Sequence, residues 1–404
     1  MAGPAWPCPV PKAADFCFDP PGFAESEWRA MSDSDFILIG AGIAGASAGY
    51  FLSEHARVLL LERESQPGYH STGRSAAFYS EAYGNAMIRA LTTGGRRYFM
   101  EPPSGFAETP LLSPRGAMFI GRADQMESLD KQAEEAGALV DSIRRIGAEE
   151  ARRHVPVLRP DYIAGAVLEP DSMDIDVHAV HQGFLRGLRA RGGRVVNDAG
   201  VEALTRQGGE WQVTTPAGRF TAPVLIDCAG AWCDEVAALA GAKPVGLVPK
   251  RRTVITFAAP GGLEVAGWPL CVDVDEQFYF KPDAGRMLAS PCDETPVEPC
   301  DVQPDELDIA LAVDRIEKAT EISVRRIENR WAGLRSFVAD KTPVVGYDPA
   351  VAGFFWLAGQ GGYGIQTSFS MGRVAAALAR RLPVPSDLAD LGVGEAELSP
   401  ARFA

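Results

Sequence analysis

The chain has 404 residues, 46% apolar and 23% charged, which is the balance of a globular protein with more chain than one core needs. Its net charge of −14 argues against nucleic acid as a partner, because phosphate binding needs a basic face. No apolar run approaches the roughly 18–20 residues that cross a bilayer, so no transmembrane segment is expected.

Residues 1–33, opening "MAGPAWPCPVPKAADFCFDPPGFAESEWRA", hold six prolines and neither an apolar stretch nor any periodicity. They read as a poorly ordered tail, with Met31 as the expected natural start. "DFILIGAG" then reads as a buried strand entering a glycine turn, and residues 43 to 54 as a helix whose small residues suit close packing on a sheet. "RVLLLERE" is a second buried strand, completing a right-handed βαβ unit. Further on, "DQMESLDKQAEEAGA" reads as an exposed helix, and the segment after Asp176 as a helix ended by Gly192-Gly193. "WQVTTPAGRFTAPVLIDCAGAW" reads as a hairpin and then a buried strand stopping at Gly230. From 246 to 335, β-type segments surround one helix near 305 to 320. The chain closes with the strand "GFFWLAG", the loop "QGGYG" and a helix from Ile365 to Arg381.

Gly40-x-Gly42-x-x-Gly45 stands where a strand opens into a helix, the context a dinucleotide site requires. The first glycine permits the turn, the second lets backbone approach a pyrophosphate, and the third, next to Ala44, allows close packing. Glu62, ending the second strand, can accept hydrogen bonds from both ribose hydroxyls and would repel a 2′-phosphate. The glycine- and serine-rich loop "QPGYHSTGRSAAFY" suits a longer cofactor than NAD, one lying deeper in the protein. A helix N-terminus after the late glycine loop could stabilise an anionic reduced flavin.

The seven cysteines, Cys8, Cys17, Cys228, Cys233, Cys271, Cys292 and Cys300, are scattered and form no C-x-x-C pair. Neither zinc nor a disulfide framework is indicated; buried thiols in a reducing, cytoplasmic compartment are expected. His178 and His181 share a helix face, but no third ligand accompanies them, so they read as ordinary helix residues and no metal is expected.

The order of these segments resembles the D-amino-acid oxidase-like flavoprotein superfamily. "GYHSTGRSAA", "LLSPRG", "AGAWCDE", "PKRR", "FYFKPDAG", "WAGLRSF" and "GGYGIQTS" look most like its bacterial D-arginine dehydrogenase group. The resemblance covers roughly residues 34 to 400. It implies an α/β fold: a discontinuous Rossmann-type FAD-binding lobe (34–83, 175–243 and 339–398) and an α+β substrate lobe on a large antiparallel sheet (84–174 and 244–338). It implies non-covalent FAD contacts from Gly40, Gly42, Ala44, Gly45, Glu62 and Arg63, and from Ser71, Thr72, Ser75 and Ala76 in the loop that follows. Ala229, Gly230 and Trp232 join them, as do Gly361, Gly362, Tyr363, Gly364, Ile365, Gln366 and Thr367 late in the chain.

Oxidising an amino acid at its α-carbon needs the carboxylate pinned so that the C–H points at flavin N5. A guanidinium does this bidentately. By resemblance Arg335, Tyr279 and Arg252 hold that carboxylate, Tyr83 and Gln366 line the pocket, and the Gly362 carbonyl accepts the substrate amine. No general base is needed, because a neutral amine already has its lone pair. Two departures from the arginine-dehydrogenase pattern stand out: Phe78 replaces a histidine, and Ala117 replaces the acid that would pair with a cationic side chain. With Leu270 and Val272 facing the same space, neutral or apolar side chains are expected, unless Glu81 supplies the missing charge.

The sequence thus predicts oxidation of free amino acids, of D configuration by resemblance, to imino acids that hydrolyse to 2-oxo acids and ammonia. A 2-hydroxy-acid dehydrogenase or a glycine/sarcosine-type amine oxidase are the alternatives. Oxygen and a quinone both stay open as electron acceptor, and a monomer or small homo-oligomer is expected.

Overall fold

The computed structural model describes residues 34–403; the expected tail, with Cys8 and Cys17, lies outside them. The glycine turn grows from a six-stranded sheet in which Arg194–Val196, Val58–Leu61, Phe36–Ile39, Val224–Asp227 and Phe354–Ala358 run parallel. Val344–Tyr347 closes one edge antiparallel. All four residues of Phe36–Ile39 are buried, as expected for a central parallel strand covered on both faces. Phe36 and Leu38 face the helices Ile43–Leu52, Val177–Ala190 and Ser368–Ala379. Ile37 and Ile39 face a three-stranded meander, residues 203–222, built around Trp211. The sequence reading had only the second hairpin of this meander; its first strand, Ala203–Gln207, was not anticipated.

The helices pack closely because glycines remove side chains at the crossings. A Cβ on Gly372 would stand 2.8 Å from the Ser47 backbone, and one on Gly187 2.2 Å from the Tyr50 ring.

A second sheet has eight strands, in the order Ile327–Phe337, Val248–Ala258, Arg286–Ser290, Tyr279–Asp283, Leu270–Asp273, Ala117–Gly121, Gly165–Glu169 and Arg144–Gly147. It is mixed rather than wholly antiparallel: Leu270–Asp273 pairs parallel with Ala117–Gly121, because these strands come from distant parts of the chain with no hairpin between them. Strand alternation divides its faces. Met118, Leu168, Ile255, Cys271, Phe280 and Ala289 form a core under the helix Glu306–Ala319. The opposite parity, including Ala117, Glu169, Arg252, Leu270, Val272, Tyr279 and Arg335, lines a cavity against the first sheet.

The closing helix is shorter than the predicted Ile365–Arg381: it runs Ser368–Ala379. Before it, the Tyr363 carbonyl accepts from both the amide and the hydroxyl of Thr367 in a turn. After it, the Leu382 amide returns to Ala377, and Arg381 takes a left-handed φ of 59°.

Candidate active site

Between the two sheets lies a cavity of about 880 Å³, within the range of small-molecule and cofactor sites. One end is the glycine turn. Gly40 has φ +102°, and a Cβ there would stand 2.6 Å from the Cys228 carbonyl, so only glycine fits. Gly45 needs its bare Cα as well, because a Cβ would meet the Gly40 carbonyl at 2.0 Å. Gly42 differs: its only close neighbour would be Thr72 Oγ1, at 3.3 Å, and the space beyond is the cavity.

Glu62 braces this turn. Its Oε2 accepts from the Ala41 amide at 2.9 Å and its Oε1 from the Glu64 amide at 3.0 Å. Burial pushes its carboxyl up, opposed by those amides. A carboxylate has further lone pairs, so acceptor capacity remains for a ribose. Thr72 Oγ1 accepts from the Ile43 amide at 2.9 Å, and no side chain of Gly42 itself caps the helix.

His181, read from sequence as an ordinary helix residue, has a defined task. Its Nε2 donates to the Ala41 carbonyl at 2.8 Å, under the turn, while His178 is exposed. Burial lowers the His181 pKa, opposed by that hydrogen bond.

At the same end Arg63 lies over Trp232, 4.9 Å from its ring centroid. Ser71 donates to the Leu334 carbonyl at 2.7 Å, tying the loop that carries Thr72, Ser75 and Ala76 to the second sheet. Those three residues line the cavity, as do Ala44, Ala229, Gly230 and Arg63. From the late loop, Gly361, Gly362, Gly364, Ile365 and Gln366 line it too. Gly45, Tyr363 and Thr367, also expected at the cofactor, do not: Gly45 is covered by Gly40, Tyr363 packs 5.1 Å from Tyr83, and Thr367 is turned to the Tyr363 carbonyl. The cavity-lining residues here end at Gln366, two before the helix begins at Ser368.

The other end is the polar cluster the sequence proposed. Arg335 and Arg252 share the cavity face of neighbouring antiparallel strands, Arg335 opposite Lys250 and Arg252 opposite Gly333. They are not equivalent. Arg252 Nε donates to the Asp293 carbonyl at 2.9 Å and its guanidinium meets Glu294 at 3.3 Å. Arg335 makes no hydrogen bond or ion pair with any described residue. Burial works against its charge, but the Tyr83, Tyr279 and Cys292 groups facing it raise its pKa. Burial raises Tyr83 and Tyr279 in turn and pushes the Cys292 thiol up to about 11. A charged guanidinium at a cavity wall without a counter-ion is a site for an anion.

Gly362 passes directly beside it: a Cβ there would stand 3.0 Å from Arg335 Cζ. The Gly362 carbonyl accepts no hydrogen bond among the described residues. Gln366 is buried, with its amide donating to Thr92 Oγ1 at 3.0 Å.

The wall beyond holds Phe78, Ala117, Phe119, Leu270 and Val272. Glu81 does not reach it; Arg96 binds its carboxylate at 2.7 Å at the surface. Sequence reasoning missed several acids that line the cavity, among them Glu276 at an exposed turn and Glu169, which is 3% exposed. Cys300 departs from the expectation of buried thiols, being exposed.

The family model described as FAD dependent oxidoreductase matches residues 35–378. The chain belongs to this family. Its cofactor is FAD, and the glycine turn, Glu62 and the Thr72 loop form a cradle that fits it. Among similar proteins, the uncharacterized oxidoreductase YurR of Bacillus subtilis is 27% identical over 357 residues, covering 82% of this chain and 90% of the relative. L-2-hydroxyglutarate dehydrogenase of Escherichia coli is 27% identical over 230 residues, 52% of this chain and 50% of that enzyme. Glycine oxidase from Geobacillus kaustophilus shares the fold, with a TM-score of 0.77 at 19% identity, covering 90% of this chain and 98% of that one. Among the described residues of this FAD dependent oxidoreductase, no helix is long and apolar enough to cross a membrane.

Proposed function

We propose that the protein oxidises free α-amino acids to imino acids, which hydrolyse to 2-oxo acids and ammonia. The observation that supports this most is Arg335, a charged guanidinium set beside Tyr83, Tyr279 and the Gly362 carbonyl, with no counter-ion for the one and no donor to the other among the described residues. FAD, when bound, supplies the two-electron acceptor. The chain's own residues bind and orient. Arg335 takes the carboxylate bidentately, with Arg252 as a second, partly neutralised cation and Tyr279 as hydrogen-bond donor. The Gly362 carbonyl accepts from the substrate amine, fixing the α-carbon between two anchors.

An amine is favoured over a hydroxyl because, apart from the Glu276 carboxylate that faces Tyr83 and Cys292, no described group of the cluster is ready to act as a base. Its tyrosines and Cys292 all have raised pKa values and keep their protons near neutral pH. A neutral amine needs no base to push electrons out; a hydroxyl does. D configuration rests on the likeness of "LLSPRG", "PKRR" and "WAGLRSF" to the D-arginine dehydrogenase group. A panel of D-amino, L-amino and 2-hydroxy acids, scored by anaerobic bleaching of the flavin, tests the reading. D-amino acids are expected to bleach it fastest; bleaching by 2-hydroxy acids alone would replace the amine reading with the hydroxy-acid one.

A further inference from the structure

Glu169 is a buried acid in the cavity wall that the carboxylate clamp does not use. It ends the strand Gly165–Glu169 and stands opposite Ala117 in antiparallel register, and Ala117 in turn pairs with Leu270. All three line the cavity. The Ser80 hydroxyl donates to Glu169 Oε1 at 2.7 Å, and the Ala82 amide donates to Ser80 Oγ at 3.3 Å, so the carboxyl is held rather than free to swing. No cationic side chain among the described residues pairs with it; besides Ser80, Ser172 and the acids Glu81 and Asp171 act on it, while Ala117 opposite it and Phe119 and Phe78 in the same cavity wall are apolar. A polar group this buried is costly unless something completes its hydrogen bonds. Three inter-strand steps, at roughly 4.8 Å each, and an offset of two residues along the strands separate Tyr279 from Glu169, about 16 Å in all. With both side chains reaching inward, the remaining gap suits a substrate side chain with its head at the clamp and its tip at the acid.

We propose that Glu169, positioned by Ser80, is the specificity residue of the side-chain subsite, selecting substrates whose side chain ends in an N–H or O–H donor over apolar ones of the same length. The proposal rests on the amino-acid reading for the orientation of the substrate but not for its chemistry. It modifies the expectation of a wholly apolar pocket: the acid absent at 117 has a neighbour one strand away. Burial raises the Glu169 pKa, opposed by Ser172 and Ser80, so the carboxyl can receive a cationic tip as carboxylate or share a proton with a neutral one.

The test uses the FAD-loaded enzyme and straight-chain carboxylates of graded length ending in methyl, hydroxyl or ammonium. They bind the clamp but lack an α-amine, so Kd read from the flavin spectrum is independent of the reaction class. The wild type is expected to bind the hydroxyl or ammonium series roughly 5- to 10-fold more tightly than the methyl series at the best length. Glu169→Leu should erase or invert that preference. Glu169→Gln separates the two donor types, keeping a hydroxyl preference and losing an ammonium one, and Ser80→Ala should weaken either. FAD content and Tm control for folding. Equal binding of the three series by the wild type, or a preference that survives in Glu169→Leu, would overturn the proposal. If the preference holds while no amino acid reduces the flavin, the amine reading fails and the subsite assignment stands.

Discussion

Arg335 Cζ lies 3.0 Å from the point where a Cβ on Gly362 would stand, so this guanidinium and the glycine loop are in direct contact. Gly362 is not in the left-handed region, so alanine there acts by contact and not by backbone strain. Gly362→Ala is expected to push the guanidinium out of line and lower kcat/KM by roughly 10-fold, with FAD content unchanged. Steady-state kinetics with flavin quantitation checks it; unaltered kinetics would show that the contact has no bearing on the clamp.

Removing the guanidinium is expected to have a larger effect. Arg335→Ala leaves a substrate carboxylate without its partner in a desolvated site, at a cost of about 2–5 kcal/mol. A fall in kcat/KM of roughly 30-fold or more is expected. Arg252→Ala should cost less, because Glu294 already shares that charge. A reversed ranking of the two variants would move the clamp to Arg252.

The glycines of the turn separate cofactor binding from folding. Gly42→Val points a side chain into the cavity and otherwise meets only Thr72 Oγ1, so a folded apoprotein is expected. Gly45→Ala drives a Cβ against the Gly40 carbonyl and should lower Tm even without FAD. Thermal melts with and without added FAD distinguish the two, and equal Tm losses in the apo state would contradict the assignment.

His181 is expected to make the turn sensitive to acid. Its folded pKa is below the ordinary value of 6.5, so the unfolded chain binds more protons as pH falls through that value. Stability from this group is complete above about 6.5 and is lost as pH drops through the lowered folded pKa. His181→Gln keeps an N–H donor for Ala41 without titrating, so its Tm should fall less between neutral pH and pH ~5. Parallel curves for the two proteins would assign the acid sensitivity elsewhere.

The parts of the site legible in the sequence are those whose partners lie near in the chain or whose motif is specific. The Gly40–Gly45 turn needs only its flanking strand and helix to be recognised. Arg335 and Tyr279 are single polar residues in β-type segments and became readable only through the family resemblance. Nothing in the sequence singled out Glu169. Its place in the cavity follows from its register with Ala117 and from Ser80, 89 positions away, neither of which a local pattern encodes. His181 was missed for the same reason, its acceptor being 140 positions distant. The mixed pairing of the second sheet is likewise a long-range fact, since Leu270–Asp273 and Ala117–Gly121 meet only in the folded chain.

The central claim is that the Arg335 clamp presents an α-amine, rather than an α-hydroxyl, to the flavin. Anaerobic single-turnover mixing with the best amino acid of the panel, followed by assay of ammonia and 2-oxo acid, tests it most directly. One ammonia and one 2-oxo acid are expected for each flavin reduced, with reduction slowed in Arg335→Ala. Flavin reduction by 2-hydroxy acids with none by any amino acid, and no ammonia released, would contradict it.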